Sequence, residues 1–205
     1  MPLIKRDMPS SQTGERSASE HLADLRSPDT DTRWRAARAL GENKDAVAPL
    51  AAALELELVP RVREAIVTAL VRIGDRASVT VLLPYLRSQD ASLRTATIDA
   101  LQDLPDVVHP FLQALLADKD SDVRILATEL TRNMSPAVAT EILSRLIEKE
   151  EHSNVCGAAV EVLTEVGTPA ALPALRECAV RFANTPFLPF AIATAIARIS
   201  ATKVN

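Results

Sequence analysis

Four arginines, Arg33, Arg63, Arg94 and Arg124, recur at intervals of 30, 31 and 30 residues. A leucine follows each of them, seven residues on at Leu40, Leu70 and Leu101, and six on at Leu130. A fixed period of this length requires a stack of like units, each too small to bury its apolar face alone. The copies read T-R-W-R-A-A-R-A-L at 32–40, V-R-E-A-I-V-T-A-L at 62–70, L-R-T-A-T-I-D-A-L at 93–101 and V-R-I-L-A-T-E-L-T at 123–131. Two further copies lack the arginine: V-C-G-A-A-V-E-V-L at 155–163 carries Cys156 in its place, and L-P-F-A-I-A-T-A-I at 188–196 carries Pro189.

Apolar residues in every copy fall at helical spacing, which predicts a buried helix stripe. Upstream of each copy from the second onward lies another apolar helical stretch, at 47–56, 79–86, 108–116, 138–147 and 170–180. Each unit is therefore expected to be a helical hairpin. Ser27-Pro28-Asp29, Ser88-Gln89-Asp90 and Asp118-Lys119-Asp120 stand between the two helices, where short acceptor side chains cap a helix start. Gly41, Gly74 and Gly167 follow the second helix and are expected to end it in the left-handed conformation. No Asn-Gly or Asp-Gly turn flanked by alternating apolar residues predicts a strand. The expected fold is all-α: a right-handed α-solenoid of about six hairpins over residues 20–205, preceded by a flexible, aperiodic tail at 1–19. The Pro2-Leu3-Ile4-Lys5-Arg6 stretch of that tail reads either as an ordinary terminus or as a short docking motif.

The chain is 47% hydrophobic but only 3% aromatic, which suits helices packed through small Ala, Leu and Val contacts. Two cysteines, Cys156 and Cys178, make no disulfide framework and are expected as buried fillers. With no signal peptide and no apolar run of membrane length, a reducing cytoplasm and no membrane association are expected. A net charge of −4 argues against nucleic acid as a partner.

Val-Arg-x-x-Ala-x-x-Ala-Leu after a turn proline or aspartate resembles HEAT repeats, over about residues 20–200. The period is shorter than the ~40–47 residues of eukaryotic arrays and resembles the short bacterial repeats named after phycobilisome lyases. The resemblance implies a ladder between neighbouring repeats built from turn aspartates Asp29, Asp90 and Asp120 and arginines Arg33, Arg63, Arg94 and Arg124. The second repeat departs from it, with Val59 at the aspartate position and Glu57 two residues earlier. These arginines are expected to brace the repeats rather than bind a ligand.

In HEAT-like solenoids the second helix lines the concave face. Rows beside the arginines are accordingly expected to meet a protein partner, chiefly through Trp34, Arg38, Glu64, Arg72, Thr95, Asp99, Glu129 and Arg132. Phe182, Phe187 and Phe190 are expected either to close the last hairpin or to form a self-association patch.

The only histidines, His21, His109 and His152, fall in three different repeats with no His-Glu pair, so neither a metal nor another cofactor is expected. Without a nucleophile or an acid–base pair, the chain reads as a non-catalytic interaction scaffold or adaptor, not an enzyme. The resemblance supplies two alternatives. One is a subunit of a bilin lyase or a tetrapyrrole chaperone. The other is a HEAT-like DNA glycosylase, which the mixed charge of the groove rows disfavours.

Overall fold

The computed structural model describes residues 17–201, so residues 2–6 and most of the expected tail lie outside the described residues. Twelve α-helices and three short 3-10 turns form, with no strand among the described residues. The helices pair in chain order as six hairpins. These are α1 (Ala18–Asp24) with α2 (Thr30–Ala39), α3 (Val47–Leu56) with α4 (Pro60–Ile73), and α5 (Arg76–Leu82) with α6 (Ala91–Gln102). Then follow α7 (Pro105–Leu116) with α8 (Ser121–Glu129), α9 (Pro136–Lys149) with α10 (Ser153–Val166), and α11 (Leu172–Arg181) with α12 (Leu188–Ala201). Second helices stack along the array, α2 on α4, α4 on α6, α8 on α10 and α10 on α12. First helices make the other layer of this α-solenoid, α5 meeting α7 and α9 meeting α11.

Turn chemistry sets the helix starts. Asp29, Asp75, Asp90 and Asp120 each accept from a backbone N–H in the first turn of the helix they precede. Pro60, Pro105 and Pro136 occupy first-turn positions, where the missing N–H costs nothing. Ser17 and Glu20 form a capping box, so α1 starts at Ala18, inside the segment expected as tail.

The repeated leucines Leu40, Leu70, Leu101 and Leu130 are all buried, which explains their period. Two apolar clusters make the core, one from Leu25 to Ala139 and the other from Leu143 to Ile199, and they meet along α9. Around that seam α7 and α9 pack more loosely than α9 and α11 do.

Glycine usage differs from the sequence expectation. Of Gly41, Gly74 and Gly167, only Gly74 is left-handed, with φ of 60°. Gly167 has φ −66° and ψ 146°; a Cβ there would lie 2.2 Å from the Leu163 carbonyl oxygen. Close approach, not handedness, selects that glycine; at Gly41 a Cβ would meet only the flexible Arg72 side chain closely, its Cδ at 3.1 Å. Gly157, inside α10, has nothing within 4 Å of the point where a Cβ would stand. Gly157→Ala should therefore raise stability by about 0.5–1 kcal/mol, by limiting the unfolded chain and improving helix propensity. A thermal melt at or below wild type would contradict this.

Candidate functional site

Arg33, Arg63 and Arg124 join repeats, but through carboxylates the sequence pattern only partly identified. Arg33 donates to Glu57 Oε2 at 2.7 Å and Oε1 at 3.2 Å, reaching the turn of the next repeat. Arg124 repeats that geometry on Glu150, at 2.8 and 3.0 Å. Each acid also orders its own turn: Glu57 Oε1 accepts from the Leu58 and Val59 N–H groups, and Glu150 Oε1 from that of His152. The Arg33 guanidinium holds the Glu57 carboxyl below its ordinary value. At Glu150 burial pushes upward, but the Arg124 bonds and the His152 N–H outweigh it and hold the carboxyl low.

Among the turn aspartates, Asp90 alone accepts a ladder arginine, Arg63 of the preceding repeat at 2.6 Å. Asp29 and Asp120 cap their own helices instead, through Thr32 and Asp122 N–H groups. Arg94 donates to the Ser88 carbonyl at 2.6 Å and has no carboxylate partner among the described residues. Asp118, which stands where Glu57 and Glu150 do, is taken by Arg87. The physical reason is reach: the turn carboxylate two residues before the capping position faces the preceding repeat, and only Asp90, preceded there by Ser88, fills that role itself.

Cys156 takes the arginine's place in the fifth repeat, and its Sγ donates to the Glu150 carbonyl at 3.5 Å. The missing guanidinium comes from elsewhere. Arg181, at the end of α11, donates to the carbonyls of Ile147, Glu148 and Glu150 and closes the C-terminus of α9. Cys178 and burial push the Cys156 thiol up.

On the second-helix rows, Arg38, Glu64, Arg72, Thr95 and Asp99 are exposed, and Trp34, Glu129 and Arg132 are half-buried. Trp34 lies under two guanidinium groups, Arg38 and Arg61, each 4.7 Å from its ring centroid. Arg61 also pairs with Asp31 at 2.7 Å, so this cluster ties the first repeat to the second. Arg132 pairs with Glu129 at 2.7 Å and with Glu165 of the next repeat. Glu64, Thr95 and Asp99 share a cleft of about 570 Å³ between α4 and α6.

A larger cleft, about 1080 Å³, lies on the other layer, between α7 and α9. Leu112, Leu116, Ile142 and Leu146 line it, and His109, Arg145, Lys149 and His152 stand exposed around them. The fold thus brings together two histidines that the sequence assigned to unrelated places. No cluster of three or more His, Cys, Asp or Glu fit to hold a metal occurs among the described residues. No described helix is long and apolar enough to cross a membrane.

Phe182 belongs to the core, with 9% exposure, and Arg181 stacks on its ring at 5.1 Å. It cannot contribute to a surface patch. Phe187 and Phe190 are 88% and 79% exposed at the start of α12.

Stacked hairpins with guanidinium ties across successive turns define a helical-repeat solenoid. A family model for HEAT repeats matches residues 19–102 and 108–183, and the chain belongs to that family. It is similar to the bilin biosynthesis protein PecE of Nostoc sp. (strain PCC 7120 / SAG 25.82 / UTEX 2576), 44% identical over 88 residues, covering 40% of this chain and 35% of the relative. PecE of Mastigocladus laminosus is 33% identical over 126 residues, covering 60% of this chain and 46% of the relative. The chain thus spans less than half the length of either relative. An archaeal HEAT-like repeats protein from Thermococcus onnurineus NA1 superposes with a TM-score of 0.51 at 18% identity, over 90% of this chain and 87% of that one, and shares the fold. The PecE matches, both to proteins of bilin biosynthesis, contradict the expectation that the chain is not an enzyme. That expectation rested on the missing catalytic constellation alone.

Proposed function

We propose that this chain handles a bilin as a helical-repeat subunit of a lyase-type assembly, delivering the tetrapyrrole to a carrier protein. The observation that carries the reading is the 44% identical stretch shared with a bilin biosynthesis protein. A sizeable cleft with an apolar lining and exposed cations supports it, since a bilin joins an apolar conjugated body to carboxylate side chains. The second-helix rows from Trp34 to Arg132 are the proposed face for the protein partner, and their mixed charge suits a polar protein surface. This replaces a plain scaffold by one whose binding surfaces serve a transfer.

Titration of the protein with a free bilin, followed in the visible spectrum, tests the reading. A saturable change in the long-wavelength band is expected, because a bound bilin is held in fewer conformations than a free one. A spectrum that changes only in proportion to added bilin would overturn it.

A further inference from the structure

We infer that the α7–α9 cleft is the bilin site, with the tetrapyrrole lying on the apolar lining and its two propionates held by Arg145 and Lys149. The inference rests on the bilin reading and gives it a place. Two other clefts of the described residues invite comparison with it, and charge separates them.

The α4–α6 cleft is lined by Glu64, Asp90 and Asp99, against Arg63 alone, which Asp90 already engages. A dianion is repelled there. The cleft between α1 and α3 is about 920 Å³ and apolar, but of its two cations Arg33 is bound to Glu57, leaving Arg26. At about 1080 Å³, the α7–α9 cleft sits at the upper end of the ~300–1,000 Å³ usual for small-molecule sites. Its acids are Glu150, held by Arg124, and Glu151.

The cations are placed for two acids rather than one. Arg145 and Lys149 stand one turn apart on α9, about 6 Å along the axis. Propionates on the two central rings of a bilin are neighbours and fit paired cations at that spacing. Lys149 has no carboxylate partner among the described residues. Arg145 is committed only to Glu141 at 2.7 Å, a pair whose side chains are 75% and 59% exposed, so a ligand displaces that acid cheaply. His109 and His152 add N–H donors from opposite sides, one on α7 and one in the turn after α9. The opening itself comes from the architecture. It lies at the seam between the two core clusters, where the first-helix layer packs more loosely, and it is lined from both halves of the array.

The test is bilin titration of wild type, of an Arg145→Glu/Lys149→Glu double variant, of Leu116→Trp to fill the cleft, and of Arg176→Glu at an exposed position of α11 outside the cleft. Both altered charges are at exposed positions, and circular dichroism confirms that each variant folds. The double variant should bind at least about tenfold more weakly, Arg176→Glu as wild type does, and Leu116→Trp, if folded, more weakly too. The dimethyl ester of the same bilin should lose a similar factor on wild type and little on the double variant. Wild-type-like binding by the double variant, or equal binding of acid and ester by wild type, overturns the site while leaving the bilin reading intact. No saturable binding by wild type overturns the reading itself and the site with it.

Discussion

Replacing Glu150 by alanine is expected to lower stability by about 2–3 kcal/mol, from loss of a largely buried ion pair and of a turn-ordering acceptor. The side chains of Arg124 and Glu150 are 15% and 8% exposed, so removing the acid strands a guanidinium with little access to water. The midpoint of thermal unfolding should fall by about 5–10 °C for a domain of this size. Because each repeat is held mainly by its neighbours, the transition should also broaden as the fourth and fifth repeats lose their tie. Asp120→Ala, which removes only a helix cap, should cost about 1 kcal/mol. Equal effects from the two substitutions would show that the tie runs through the capping aspartate after all.

The same acid predicts a pH dependence. Its folded-state value lies below the ordinary 4.5, so its contribution is complete above pH 4.5 and is lost as the pH falls through the lower folded value. The stability difference between wild type and Glu150→Gln should therefore be constant from pH 7 down to about 5 and shrink as the solution is acidified further. A difference that grows on acidification would contradict the pairing.

Gly167→Ala is expected to be the most damaging small change, at about 2–4 kcal/mol, because no rotamer relieves a methyl group pressed on backbone. The new Cβ would sit 2.2 Å from the Leu163 oxygen and 3.1 Å from Ile199 Cδ1, so the end of α10 or the packing of α12 must give way. The next residue donates its N–H to Thr140 Oγ1 at 2.9 Å, and that tie between α9 and the following turn moves with it. Chemical denaturation of Gly167→Ala beside Gly157→Ala separates steric from conformational effects, since the two should shift the midpoint in opposite directions. A neutral Gly167→Ala would show that the joint has room the geometry denies.

These residues also show how far the sequence is legible and where it stops being so. The arginine period and the leucines behind it point to the six hairpins, because a buried stripe must recur wherever a helix meets its neighbour. Helix caps are equally legible, since Asp29, Asp90 and Asp120 act on backbone three residues away or less. The ladder partners are not, because Glu57 and Glu150 lie 24 and 26 residues from their arginines and occupy an offset the aspartate pattern conceals. Arg181 is hidden for the same reason: it fills the fifth repeat's gap from a different helix. Counting histidines by repeat treats His109 and His152 as unrelated, and only the packing of α7 beside α9 puts them on one cleft. Three nearby phenylalanines look alike in sequence, whereas Phe182 turns into the core and only Phe187 and Phe190 face outward.

The central claim, that this solenoid delivers a bilin to a carrier protein, is tested most directly by the rate of attachment. A bilin and a carrier apoprotein are mixed with and without this chain, and covalently attached bilin is followed over time after denaturation. Attachment should be faster in the presence of the chain and return toward the uncatalysed rate for Arg145→Glu/Lys149→Glu. Identical time courses with and without the chain would contradict it.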